Sequence, residues 1–313
     1  MTSDTVTIAP SGSKASKAAT ASKASMAPKR PKPRMRRAQK VVAAKTWGNT
    51  LVIAVVALVF TFPFIWMFFT ALKPESEVFS STPTFIGSEV KWSNFVEAWT
   101  VVPFGRFIFN GFFVSVMGAL LSVIVAVLSA YAFSRLRFKY RDRIFMLYVL
   151  TLVLPQEVLV VPLFIMMNQL GLVDTYTALI IPFAFTAFGT FLLRQFFLTI
   201  PIEYEEAALI DGASRFRTLW SVLLPQLTAP LSVLAVFSFV GYYNSYLWPL
   251  IIINSQELAT VPLGLAMFTG ERGTQWSLMM AASTLAVIPS LIIVAVLQRQ
   301  LIKGVALGGF GGR

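Results

Sequence analysis

Neither cysteine nor histidine occurs among the 313 residues. The first absence excludes disulfides and thiolate metal sites, and the second removes the commonest general base and metal ligand. Ser–His and Cys–His catalysis are therefore excluded within this chain. No Gly-Lys pair occurs, and Lys303-Gly304 has the wrong order, so the phosphate-cradling loop G-x-x-x-x-G-K-[ST] is missing as well. Charge is scarce too: 13% of residues are Asp, Glu, Lys or Arg, against 56% hydrophobic residues and a mean hydropathy of +0.72. Such a composition defines a polytopic membrane protein. No catalytic residue, metal site or cofactor is expected on this chain.

The few charges map the chain onto a bilayer. Residues 1–45 are rich in Ser, Ala, Lys and Pro, with basic residues from Lys14 to Lys45 against a single Asp4, and form an expected disordered, cytoplasmic, basic N-terminal tail. No nucleic-acid partner is inferred from it. Between Lys45 and Lys73 no charge occurs, a stretch long enough to cross a hydrocarbon core of roughly 30 Å. The loop from Lys73 to Arg106 has no positive bias and suits the outer face. A second charge-free stretch ends at Arg135, where Arg135, Arg137, Lys139, Arg141 and Arg143 oppose only Asp142 and mark the inner face. Further spans are predicted near 144–170, 177–197, 231–253 and 278–297. Glu257, Glu271 and Arg272 fall in the last outer loop, and 304–313 form a Gly-rich cytoplasmic tail. The reading is an all-α membrane protein with six transmembrane helices in a domain over 46–303. It is multi-pass, surrounded by lipid, with both termini cytoplasmic.

One inward segment stands apart, Glu203 to Pro225. Glu203, Glu205, Glu206 and Asp211 follow Pro201, where the positive end of a helix dipole favours acids. Leu209, Ala213, Phe216, Trp220, Leu223 and Leu224 recur at helical spacing as one apolar stripe, with Glu205, Glu206, Arg215 and Arg217 off it. Gly212 predicts two short helices joined by a bend, and Pro225 ends the second. An amphipathic helix lying on lipid would lead with basic residues, because the inner leaflet is anionic. A segment led by acids fits a protein cleft instead.

Glu206-Ala207-Ala208, three residues, Gly212, nine residues, then Val222-x-Leu224-Pro225 resembles the EAA signature of permease subunits of bacterial ATP-binding-cassette importers, of the maltose-permease, carbohydrate-importing type. Asp211-Gly212-Ala213 matches the usual surroundings of its glycine, and Val222 stands where Ile is commoner. The resemblance extends from about Lys45 to the C-terminus. It implies the type I importer permease fold in the bacterial cytoplasmic membrane. It also implies a coupling helix, with Glu203, Glu206, Ala207, Ala208, Asp211, Gly212, Leu224 and Pro225 meeting a cytoplasmic ATPase. The implied partners are a second permease subunit, two copies of the ATP-binding subunit that carry ATP and Mg, and an extracytoplasmic solute-binding protein. The implied cargo is a sugar or sugar-like solute.

Two features suit a solute pathway. Glu157, beside Pro155 and Pro162, is expected near the middle of the third span, where an acid is costly and marks either a functional site or a helix-packing hydrogen bond. Tyr242, Tyr243, Asn244, Tyr246 and Trp248 concentrate polar and aromatic groups in the fifth span; they suit stacking on sugar rings, and they equally suit interhelical packing. The segment resembles the family's Trp-Asn-x-Phe-Leu-Trp-Pro stretch. The competing class is a proton-coupled secondary transporter using Glu157, which would call for inverted repeats and more spans. A basic membrane scaffold would leave the coupling segment unexplained. Deletion of residues 1–40 is expected to leave solute uptake intact, and loss of uptake would favour the scaffold.

Overall fold

The computed structural model describes residues 34–80, 82, 84–270 and 273–309, with side chains for 49–298 among them. The chain divides into two units, Met1–Phe60 and Thr61–Arg313. The described helices, in order, are α1 Arg34–Ala71, α2 Ser93–Thr100, α3 Phe104–Arg135, α4 Arg141–Leu150, α5 Gln156–Gln169, α6 Tyr176–Ile180 and α7 Ala187–Thr199. They continue with α8 Glu203–Ile210, α9 Arg215–Thr218, α10 Thr228–Tyr243, α11 Leu247–Ile252, α12 Val261–Ala266 and α13 Trp276–Gly309. A two-residue hairpin pairs Thr269 with Thr274 and Gly270 with Gly273.

Among the described residues four stretches are long and apolar enough to span a bilayer alone: Asn49–Ala71, Phe104–Arg135, Arg215–Tyr243 and Trp276–Gln298. Two bent pairs raise the number to six when each counts as one span: Arg141–Val153 with Gln156–Gln169, bent by 104°, and Tyr176–Phe183 with Ala187–Thr199, bent by 47°. The first bend falls at Leu154 and Pro155, where proline removes a backbone donor and forces its predecessor to extended geometry. Pro162 lies within α5.

Several boundaries differ from the sequence reading. Helix α1 begins at Arg34, inside the stretch expected to be unstructured, because Arg, Lys and Ala are strong helix formers continuous with the apolar span; residues 1–33 lie outside the described residues. The helical stretch that contains the fifth span is Arg215–Tyr243 and ends ten residues before the expected 253, since the helix stops at Asn244 and restarts as α11. Helix α13 runs on to Gly309, through part of the expected tail, while 310–313, Glu271 and Arg272 lie outside the described residues.

Within Thr61–Arg313, α3 holds the interior together. Gly111, Ser115, Gly118, Ala119, Ser122, Ala126 and Ala130 are all buried along it, a small-residue face that lets other backbones come close. At Gly118 the fit is complete: a Cβ there would lie 2.6 Å from the Tyr242 ring. Three apolar clusters build on this helix. Phe104 and Phe107 pack with Tyr243, Val261 and Ala282; Ala126, Val127 and Ala130 with Leu193, Phe197, Leu223 and Leu234; Val114 with Val160, Leu179, Trp248 and Ile252.

Polar ties fix the end of the bundle that carries the loop before α2. Asn110 of α3 is fully buried; its amide donates to Glu257 O (2.8 Å) and Ala259 O (2.9 Å), and its carbonyl accepts from the Tyr176 hydroxyl (2.7 Å). Glu75 accepts from the Trp276 and Ser277 N–H groups (2.9 and 2.8 Å), placing a carboxylate at the positive end of α13. Asp174, at a left-handed φ of 60°, accepts at Oδ1 from the Asn254 and Ser255 N–H groups and the Ser255 hydroxyl. The Ser255 N–H above all, with the Asn254 N–H and the Ser255 hydroxyl, holds the Asp174 carboxyl below its ordinary 3.8 against the opposing effect of desolvation. This clasp is therefore complete above that value and is lost as pH falls through the lower folded value. Asp174→Ala is expected to lower the amide-exchange protection of Asn254 and Ser255 at neutral pH, measured against the intrinsic rate, to the level the wild type shows only in acid; unchanged protection would contradict the clasp.

Candidate functional site

The segment between the fourth and fifth spans folds as its glycine demands. Helix α8 closes with Gly212 N–H donating to Leu209 O (3.0 Å) and Ala213 N–H to Ala208 O (2.9 Å), the paired bonds of a Schellman end. Gly212 has φ of 79°, in the left-handed region that a side chain disfavours, and nothing lies within 4 Å of where its Cβ would be. Glycine is needed for its backbone alone. Ser214 then caps α9, its hydroxyl accepting from the Arg217 N–H at 3.3 Å. The predicted pair of helices with a bend at Gly212 is present.

Pro225 does not end the second helix. A wide π turn, Leu219–Leu223, and a 3₁₀ turn, Leu224–Leu227, carry the chain from α9 into α10. Proline cannot donate to the Ser221 carbonyl, and the loosened backbone adopts the wide turn instead. The Gln226 side-chain amide takes up the Val222 carbonyl at 3.0 Å. This rearrangement divides the apolar stripe read from the sequence. Leu223 and Leu224 are buried, whereas Leu209, Phe216 and Trp220 are exposed, the last two with ring centroids 5.9 Å apart.

Of the signature residues, Glu203, Glu206, Ala207, Asp211, Gly212 and Pro225 are exposed, and Ala208 and Leu224 are buried. Tyr204 and Ile210 are exposed with them, Ile210 by 85%. The outer face of the segment is thus a set of acids interleaved with large apolar side chains.

Glu205 points the other way. Read from sequence as part of the polar face, it is buried, with Oε1 2.7 Å from Arg135 Nε at the end of α3. The Arg135 guanidinium also donates to Phe197 O (2.7 Å), in the last turn of α7, and to Ile200 O (2.6 Å), the residue that follows it. One side chain therefore joins α3, α7 and α8. Burial pushes the Glu205 carboxyl above the ordinary 4.5, while Arg135 and then Arg215 pull it back. Removing one member of such a buried pair costs about 3–5 kcal/mol. The signal was present in the spacing: Glu205 and Ala208 stand three apart and share the inward face, and Glu206 is about 100° away. Arg135, counted only as a marker of orientation, is a structural hub.

The candidate pathway residues separate into two groups. The Tyr242 hydroxyl donates to Ile180 O (2.7 Å), the buried Tyr243 hydroxyl to Ala286 O (2.8 Å), and the buried Trp248 indole N–H to Ala178 O (2.9 Å). Their polar atoms are spent on backbone carbonyls between helices. Asn244 and Tyr246 are exposed at the break between α10 and α11. Glu157 is also exposed, in the first turn of α5 beside the 104° bend rather than within a straight span. Among the described residues no group of acids able to hold a metal ion occurs.

Residues 118–307 match the family described as binding-protein-dependent transport system inner membrane component. The chain is 36% identical over 262 residues to the sn-glycerol-3-phosphate transport system permease protein UgpE of Pectobacterium atrosepticum, covering 81% of this chain and 92% of that one. It is 32% identical over 253 residues to the sulfoquinovosyl glycerol transport system permease protein SmoH of Agrobacterium fabrum, covering 80% and 89%. A bacterial ABC transporter involved in the import of the acidic polysaccharide alginate has a chain of the same fold, with a TM-score of 0.71 at 24% identity over 86% of this chain and 98% of that one. The chain belongs to the binding-protein-dependent permease family, and its fold is that of a type I importer permease. Membership in that family gives no support to the proton-coupled alternative.

Gly212→Ala meets no atom and isolates the backbone requirement. It is expected to cost about 1 kcal/mol locally, read as faster amide exchange over residues 209–213, with Gly212→Asn, tolerant of left-handed geometry, closer to wild type. Equal exchange in all three proteins would contradict the role given to φ.

Proposed function

We propose that this chain is the membrane subunit through which an ATP-driven, binding-protein-dependent importer passes a sugar or sugar-like solute, with both termini in the cytoplasm. The observation that carries the proposal is the outward face of the α8–α9 segment. Glu203, Glu206 and Asp211 are exposed beside Tyr204, Leu209, Ile210, Phe216 and Trp220. Apolar side chains in this number are costly in water, and the acids among them are repelled by an anionic leaflet. A protein cleft that takes both is the fitting partner, and the chain's missing phosphate-binding loop requires that ATP and Mg be bound elsewhere.

Two copies of a cytoplasmic ATPase, a second permease and an extracytoplasmic solute-binding protein complete the assembly in this reading. The names of UgpE and SmoH, both transport systems for glycerol derivatives, support a hydroxyl-bearing cargo. Closure of the ATPase pair would displace α8, and the hinge at Gly212 would pass that displacement to the fourth and fifth spans. Glu157, Asn244 and Tyr246 have exposed side chains beside helix breaks and are the groups best placed to meet solute hydroxyls. Tyr242, Tyr243 and Trp248 would shape the wall behind them.

Purification from the native membrane in mild detergent is expected to bring down a P-loop ATPase and a second permease with this chain. A Gly212→Asp copy should lose most of the ATPase while still inserting in the membrane. A chain that emerges alone in both preparations would overturn the assignment. ATP-driven uptake should also survive a proton uncoupler while ATP is maintained.

A further inference from the structure

The segment that meets the ATPase is continuous in sequence with α7 and α10, so motion would be expected to travel only along those flanking helices. A third route is built into the fold. Arg135 lies at the cytoplasmic end of α3, seventy residues before Glu205 in numbering (205 less 135), and forms the buried contact at 2.7 Å described above. Both side chains are nearly closed to solvent, 8% and 11% exposed. A surface ion pair would be loosened by water and salt, whereas a desolvated one resists separation. Arg135 is also anchored on the Phe197 and Ile200 carbonyls, which gives its guanidinium a fixed orientation.

What α3 touches makes the contact consequential. The same helix carries Gly118, against which the Tyr242 ring packs, and Asn110, which ties it to Tyr176 and to the backbone at Glu257 and Ala259. A rigid displacement of α3 therefore reaches the break between α10 and α11 without passing through the wide turn at Leu219–Leu223. Helices joined by interlocked small residues shift as units rather than deform.

We propose that Arg135 and Glu205 act as positioning residues that make the cytoplasmic end of α3 and helix α8 move as one body, so that ATPase-driven displacement of α8 drives the central helix directly. This rests on the importer reading given above. Glu205 faces away from the outward docking surface, so its substitution leaves that surface in place. Glu205→Gln keeps an acceptor oxygen at the same place, and Arg135 keeps its carbonyl partners Phe197 and Ile200, so the variant loses the charge of the pair and some stability but not the arrangement of the three helix ends.

The test uses the complete purified transporter in lipid vesicles, with Glu205→Gln and the charge-keeping Glu205→Asp beside wild type. Glu205→Gln is expected to retain its ATPase subunits and ATP hydrolysis while the solute moved per ATP falls by roughly 2- to 30-fold, the span that positions on a coupling route reach. Glu205→Asp should recover part of that ratio. A merely structural contact would lower hydrolysis and uptake in proportion; that result, or an unchanged ratio, overturns the proposal. Because the chain has no native cysteine, spin labels can be placed alone at Leu128 on α3 and at Ile202 at the start of α8, both exposed and neither in the docking face. The distance between them is expected to stay fixed between nucleotide-free and ATP-trapped states in wild type, and to broaden in Glu205→Gln. A wild-type distance that changes with nucleotide overturns the coupling of α3 to α8. The broadening is read on this chain whether or not an ATPase accompanies it, so failure of the importer assignment is seen separately, as absence of an ATPase and of ATP-driven uptake.

Discussion

A polar group placed inside an apolar helix bundle must find its partner within the chain, because no water replaces it there. The described structure is arranged around that constraint. Asn110 takes two carbonyls and one hydroxyl, Tyr243 and Trp248 each take one carbonyl from a neighbouring helix, and Arg135 takes two carbonyls while its charge is met by the Glu205 carboxylate. Apolar packing decides that the helices associate, and these few directional bonds decide in which register. Most of them involve α3 or an element packed on it, and α3 contributes residues to all three clusters.

The same constraint explains the division among the aromatic residues near the end of α10. A tyrosine whose hydroxyl is committed to a backbone carbonyl serves the packing of one helix on another. Tyr242 and Tyr243 are of this kind, held against Gly118 and Phe239 respectively. Backbone interruptions, at Leu154–Pro155 and at Asn244–Tyr246, are the places where side chains emerge from the packed interior, and Glu157 and Tyr246 belong to them.

Much of this architecture was legible from the chain alone. Charge-free stretches located the spans because lipid penalises charge uniformly along them, and the bend at Gly212 followed from a requirement of one residue's backbone. The inward turn of Glu205 was not legible as an ion pair, since its partner lies far away in sequence and charge periodicity alone placed both adjacent acids in water. The severity of the 104° bend was equally hidden. A proline announces an interruption, but the angle is set by what packs on either side. The helix break at Asn244 escaped notice because the residues around it remain apolar and aromatic, so hydropathy carries no mark of it.

The wide turn at Leu219–Leu223 has a geometric consequence of its own. A π turn accommodates one residue more than an α turn, which rotates everything beyond it by about 100° relative to what precedes it. Trp220 and Leu227, seven residues apart, would lie on nearly the same side of an uninterrupted helix, yet Trp220 is exposed and Leu227 is 2% exposed. A single periodic run of apolar residues is thereby shared between two environments, its first half turned outward and its second half sealed into the bundle. Deleting one residue there would bring the two halves back into phase and leave the protein to choose between its own core and its neighbour.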